Sequence, residues 1–202
     1  CWLPVTQPFF YPIGTPGQPW NPADVAAWRA QQVRRRSYAD DVLCALQPLR
    51  ARFEVFPYGE VVYSETPAAP ERYPLYAVSP GAWQPGLPGV LVTGGVHGYE
   101  TSGVHGALQF LDQHADAYAG RINLIVAPCV SPWGYERIQR WNPDAIDPNR
   151  SFRDGGQIEE AAALMRWVGA RAEGLLVHLD LHETTNSDLE EFDPARCARD
   201  GK

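Results

Sequence analysis

Apolar positions along this chain alternate between the helical period and the strand period, and the alternation predicts an α/β fold. Val42, Leu43, Leu46 and Leu49 recur at helical spacing and predict a helix from Tyr38 to about Arg50. Upstream of it, Asn21-Pro22-Ala23-Asp24 reads as a helix start, with Asn21 as the cap and proline in the first turn. Three extended runs follow at residues 53–56, 60–63 and 75–78, with a proline-rich connector over 65–74. The run Gly89-Val90-Leu91-Val92 reads as a buried strand. Residues 101–114 read as a helix with Val104, Leu108 and Leu111 on one face. A strand at 122–127, a helix at 158–170 and a strand at 175–181 complete the series. This βαβ alternation predicts a mixed, centrally parallel β-sheet flanked by helices. No internal repeat is present.

Ahead of these elements, residues 1–21 form a proline- and aromatic-rich arm containing Phe9, Phe10, Tyr11 and Trp20, expected to lie across the surface of a domain spanning 22–202. A length of 202 residues suffices for one domain with a substantial core. The polar end, Asp193 to Lys202, shows no closing element. With Cys1 in place of methionine at the start, it suggests one piece of a longer or cleaved polypeptide.

Composition narrows the function classes. A net charge of -7 argues against nucleic acid, whose phosphates need a basic face. The one basic run, Arg34-Arg35-Arg36, reads as a solvated helix end. No stretch approaches the ~20 apolar residues that span a bilayer, and no intact signal peptide is visible, so the expected compartment leans cytoplasmic. Cys1, Cys44, Cys129 and Cys197 are scattered without a Cys-x-x-Cys pair, which excludes a zinc knuckle or redox motif. Cys129, at a strand exit, reads as a buried thiol.

The chemistry concentrates where strands end. After the apolar run comes Gly94-Gly95-Val96-His97-Gly98-Tyr99-Glu100, which presents His97 and Glu100 at a strand-to-helix corner, where imidazole and carboxylate can share one metal ion. A second apolar strand ends in Leu181-His182-Glu183. Open α/β sheets deliver functional groups at the carboxyl ends of their strands, which makes His182 the natural third ligand. Two histidines, one carboxylate and an open position make the catalytic zinc set, so the cofactor expected is one Zn2+. The other histidines read differently. His105 lies on another part of its helix surface, His114 suits a helix C-terminus, and His178 faces the same side as His182 but too far along the strand to share the metal. Asp180 lies on the His182 face and can either orient that ligand or make a structural hydrogen bond.

Between the ligand segments lie Ser131-Pro132-Trp133-Gly134-Tyr135, Arg140 and Asp147-Pro148-Asn149-Arg150-Ser151-Phe152. With His97, Glu100 and His182 in this order, the chain resembles the zinc metallocarboxypeptidase family (carboxypeptidase A-like) and the related succinylglutamate desuccinylase/aspartoacylase group. The resemblance implies that Asn149 and Arg150 grip a substrate carboxylate, a task suited to the bidentate guanidinium. It further implies that Asp147 orients the first histidine ligand and that Arg140, or its rival Arg137, polarises the scissile carbonyl.

The family's glutamate general base lies well downstream of the third ligand, and no residue of this chain matches it. Glu183 adjoins a ligand, but alternation along an extended segment points it away from the metal. The function implied is hydrolysis of an amide next to a free carboxylate. A metallocarboxypeptidase acting on peptides is preferred because Ser151-Phe152 follows the Asn-Arg pair, with an N-acyl amino acid deacylase as the alternative. A companion C-terminal fragment of the same protein is the partner that would supply the base. Without one, the chain would be a non-catalytic metal- and carboxylate-binding module.

Overall fold

The computed structural model describes residues 11–64, 70–171 and 173–202. These form two compact units, one comprising Val33–Glu183 and the other the described residues up to Gln32 together with Thr184–Lys202. The first ten residues, including Phe9 and Phe10 of the arm, lie outside the described residues, as does 65–69 of the connector.

In the smaller unit, helix α1 (Pro22–Ala30) begins as its sequence predicts. The Asn21 side chain accepts hydrogen bonds from the N–H groups of Ala23 and Asp24, and the Asp24 carboxylate accepts from Asn21 N. This capping box satisfies donors that a helix start would otherwise leave unpaired. The polar end is a correction to the sequence reading. Residues Asp188–Phe192 form a π-helical turn that continues into a helix, Asp193–Arg199, with proline in its first turn, an acid at its start and arginines at its end. Fixed φ at the first turn and charges matched to the helix dipole make a short helix from a segment with little apolar periodicity. Its last turn accepts a hydrogen bond from Trp20 N at Arg199 O, 2.9 Å.

The larger unit opens with a π-helical turn (Ala39–Leu43) that runs into α2 (Cys44–Leu49), close to the predicted span. Among its described residues five strands form one sheet in the order β1-β2-β4-β3-β5, with β1 (Glu54–Tyr63), β2 (Glu71–Ser79), β3 (Gly89–Gly94), β4 (Asn123–Ala127) and β5 (Leu175–Leu181). The β1-β2 and β2-β4 pairs are antiparallel, whereas β4-β3 and β3-β5 are parallel. The expected mixed sheet with a parallel centre is therefore what forms. Two boundaries differ. The runs at 53–56 and 60–63 are one strand, bent by an irregularity between Pro57 and Gly59, which the outer position of β1 tolerates because a proline there need not donate to a second neighbour. β2 starts at Glu71 and contains Pro74. Its pairing with β4 is confined to Val78 and Val126, so Pro74 has a ladder partner on one side only.

Helix α3 (Thr101–Gln113) buries Val104, Ala107, Leu108 and Leu111 against β3, β4 and β5. Each large apolar side chain so buried contributes about 2 kcal/mol. Helix α4 (Pro132–Arg137) follows β4, and α5 (Glu159–Gly169) packs on β1. β5, at the opposite edge, leaves Leu176, Val177 and Leu179 exposed. Cys129 is buried, as its strand-exit position suggests. No helix among the described residues is long and apolar enough to cross a membrane.

Close backbone approaches bring the strand ends together. A Cβ on Gly103 would lie 2.4 Å from Leu181 O, so glycine lets α3 settle against the end of β5. A Cβ on Gly98 would lie 2.0 Å from Gly134 C and 2.1 Å from Tyr135 N, both backbone atoms of α4 that have no rotamer to escape into. Gly98→Ala is therefore expected to lower the unfolding free energy by about 3 kcal/mol, read as a lower urea midpoint at unchanged slope. An unchanged midpoint would mean that the α4 contact is not tight.

Glu160, 1 % exposed on α5, accepts a hydrogen bond from the Tyr63 hydroxyl. Burial pushes its pKa up to about 7, against the opposing effect of that hydrogen bond. The folded chain thus retains a proton that the unfolded chain releases near pH 4.5, and stability falls as pH rises from there through about 7. Glu160→Gln, neutral and of the same shape, should raise stability at pH 8 by roughly 3 kcal/mol and change it little at pH 4. Equal effects at both pH values, measured by urea unfolding, would contradict this account.

Candidate metal centre

β3 ends at Gly94, and the chain turns through Gly95, at φ 59°, into the corner that carries His97 and Glu100. In the parallel register Gly94 pairs with Leu181, so the end of β5 delivers His182 to the same place. His97 and Glu100 are each 2 % exposed, and the His182 side chain is 35 % exposed. The Glu100 carboxylate lies between the two imidazoles, Oε1 at 2.8 Å from His97 Nδ1 and Oε2 at 2.7 Å from His182 Nδ1.

The other ring nitrogens face carboxylates as well. His97 Nε2 lies 3.0 Å from Asp147 Oδ1, and His182 Nε2 lies 2.6 Å from Asp180 Oδ2. A carboxylate can only accept, so without a metal each ring nitrogen facing one acts as a donor; with a metal held between the three residues, Nδ1 would supply the lone pair and Nε2 would keep its N–H for Asp147 or Asp180. One ligand atom from each of His97, Glu100 and His182 falls within 4.8 Å of the others. Nitrogen and oxygen donors so grouped, with both imidazoles held from behind, fit a divalent metal with a position left for water or substrate.

Asp147 connects this group to the rest of the site. Its Oδ1 also accepts from Asn149 N at 2.9 Å, which caps the 3-10 turn Pro148–Arg150, and its Oδ2 accepts from Arg140 Nε at 3.1 Å. Burial alone would raise its pKa, but His97 and Arg140 outweigh that and hold it at about 2. For His97 burial disfavours the charged ring, yet the hydrogen bonds to Asp147 and Glu100 prevail and raise its pKa. Arg140 also lies 3.4 Å from the Tyr99 hydroxyl. The Asn149 amide nitrogen is 3.4 Å from His182 Nε2, and Arg150 is exposed on the same turn.

The remaining candidates sit elsewhere. Arg137 is 7 % exposed and occupied by Glu71 at 2.6 Å, the Tyr73 hydroxyl at 3.2 Å and the face of Trp133. Glu183 gives its carboxylate to Ser102 N and Oγ, at 3.0 and 2.8 Å, at the start of α3. His105 Nε2 lies 3.3 Å from the Tyr135 hydroxyl. His178 is exposed, with Nε2 2.8 Å from Thr93 Oγ1.

Two contributions escaped sequence reasoning. The run Arg34-Arg35-Arg36 is not a helix end, because α1 stops at Ala30; Arg34 and Arg35 stay exposed and Arg36 is half-buried, and two of the three are paired. Arg34 pairs with Glu136 at 2.7 Å. Arg36 donates to Gly98 O, Tyr135 O and Thr101 Oγ1 at 3.1, 2.6 and 2.7 Å, clamping the ligand corner to α4. Isolation in sequence gave no signal, since the partners are about 60 to 100 positions away. The second is Thr93, whose place beside Asp180 follows from strand register alone.

The succinylglutamate desuccinylase/aspartoacylase catalytic domain model matches residues 86–201, more than half of the 202. A solved structure named "Putative metallopeptidase" from Shewanella baltica superposes with a TM-score of 0.59 at 24 % identity, covering 76 % of this chain and 61 % of its own. A metallo-carboxypeptidase from Burkholderia cenocepacia gives 0.51 at 16 % identity, covering 73 % and 40 %. A succinylglutamate desuccinylase/aspartoacylase from Rhodobacter sphaeroides gives 0.51 at 20 %, covering 64 % and 39 %. At these identities the likeness shows the fold, and the chain spans less than two thirds of the length of each. No curated protein matches significantly. The ligand corner, the Asp147 turn and His182 all fall inside the matched residues, and the chain belongs to the succinylglutamate desuccinylase/aspartoacylase catalytic-domain family.

Proposed function

We propose that this chain forms the metal- and carboxylate-binding part of a zinc-dependent hydrolase that cleaves an amide bond next to a free carboxylate. One observation carries the reading: a single, largely buried carboxylate, Asp147, holds a ligand of the His-Glu-His group, the Asn149-Arg150 turn and Arg140 together. His97, Glu100 and His182 would hold the zinc ion. When bound, it supplies a Lewis acid and a water of lowered pKa.

The chain's own residues do the rest. Arg150, exposed and always charged, takes both oxygens of the substrate carboxylate, and Asn149 adds a donor beside it. Arg140, half-buried and oriented by Asp147, stabilises negative charge that develops on the carbonyl oxygen. Arg137 is set aside for that task because its guanidinium is consumed by Glu71, Tyr73 and Trp133. The proton must be taken by a carboxylate, yet Asp147, Asp180 and Glu183 are all engaged by other groups. We therefore place the general base outside the described residues.

Sequence context favours peptide substrates through Ser151-Phe152. In the structure Ser151 is buried and its hydroxyl donates to Asp147 O at 3.3 Å, so it completes the turn and says nothing about substrate. Family membership is the remaining guide. We put N-acyl amino acids first and peptide C-termini second.

Two measurements test the reading. Zinc-loaded chain titrated with an N-acetyl amino acid should bind it, and Arg150→Ala should weaken that affinity about tenfold to a hundredfold with zinc content unchanged. Equal affinity of the variant, or equal affinity for the corresponding amide lacking the carboxylate, would remove Arg150 from this role. Hydrolysis assays on the complete protein, with N-acyl amino acids and with dipeptides, decide the substrate order, and cleavage of dipeptides alone would reverse it. Carboxylate binding with no hydrolysis of either class would favour the non-catalytic module.

A further inference from the structure

The two histidines of the ligand group are not equally confined. His97 is enclosed, whereas His182 stands at the end of the edge strand β5, where Val177 and Leu179 are 43 % and 51 % exposed. An imidazole so placed can rotate unless something behind it fixes the ring, and rotation would cost metal affinity by misdirecting Nδ1. Asp180, two residues earlier on the same strand face, has Oδ2 at 2.6 Å from His182 Nε2. Asp180 is itself held. Its register partner across the parallel β3-β5 pair is Thr93, fully buried, whose hydroxyl donates to Asp180 Oδ1 at 2.7 Å. That bond uses the single hydroxyl proton, so Thr93 Oγ1 accepts from His178 Nε2 at 2.8 Å.

We propose that Asp180 and Thr93 form a positioning relay that fixes the tautomer and orientation of His182, with Thr93 acting only through Asp180. The proposal rests on the reading of His97, Glu100 and His182 as a metal group. It makes His182 the counterpart of His97, with Asp180 in the place that Asp147 occupies on the enclosed side. Neither relay residue touches substrate or metal. Their effect is to restrict an exposed ligand to the one ring orientation in which its lone pair meets those of its partners.

The test is equilibrium zinc affinity, measured by competition with a chromophoric chelator at constant pH on the whole chain, with no substrate present. Asp180→Asn should weaken zinc binding about tenfold to a hundredfold. Thr93→Val should weaken it several-fold, Thr93→Ser should restore wild-type affinity because the hydroxyl remains, and Thr93→Val should add nothing once Asp180→Asn is present. Wild-type affinity in Asp180→Asn would overturn the proposal. So would a Thr93→Val effect that persists undiminished in the Asp180→Asn background, since Thr93 would then act by packing alone. The thermal midpoints of the metal-free variants separate lost fold from lost affinity, and the Thr93→Ser against Thr93→Val comparison stands even if Asp180→Asn folds poorly. A wild-type chain that binds no zinc would instead overturn the metal reading itself.

Discussion

The largely buried carboxylate of Asp147 is the constraint on which the site depends. It is one of few groups that could do this work, because its two oxygens must meet an imidazole N–H, a backbone N–H and a guanidinium at the same time. Hydrogen bonds and charge from His97 and Arg140 hold it ionised despite burial, so it offers His97 Nε2 a charged acceptor. The same oxygen that orients His97 caps the turn bearing Asn149 and Arg150. The His97 ring and the Asn149-Arg150 turn are therefore coupled through about 3 Å of hydrogen bonding rather than through the sheet.

That coupling requires distant segments to meet, and the backbone provides for it. Parallel pairing of β3 with β5 brings two strand ends level, and glycines at 98 and 103 remove the Cβ atoms that would keep the ligand corner from α4 and α3 from β5. Arg36 then closes the corner from outside with three hydrogen bonds and by stacking 4.0 Å over the Tyr135 ring. The corner is thus over-determined, as a preorganised site must be if its ligands are not to relax away from the position a metal requires.

How much of this was legible follows from what each feature depends on. His97, Glu100 and His182 announce themselves because strand ends in α/β sheets carry chemistry, and that rule needs only local apolar runs and their order. The helix at Pro22 was equally legible, since its cap is built from neighbours in sequence. The partners of Arg34 and Arg36 were not, because charge runs look alike whether they meet only water or also groups far along the chain. The helix at 193–199 carries too little apolar periodicity to register, and the single strand at 54–63 looked like two because Pro57 and Gly59 imitate a turn where an edge strand only bends. Thr93 reads as one more β-branched strand residue until register shows what lies beside it.

The exposure gradient across the ligand group argues for a direction of approach. His97 and Glu100 are sealed behind the corner, the Asn149 turn is half-buried, and His182 and Arg150 are the exposed members. On the proposed function, a substrate carboxylate would reach Arg150 from the side on which His182 is open. An exposed ligand gives access at the expense of rigidity, because water competes for its ring nitrogens and its rotamers are less confined. The carboxylate behind His182 answers that weakness from within the strand itself, using a residue two positions away and a threonine that register places opposite, so the access side of the site keeps its order without being closed.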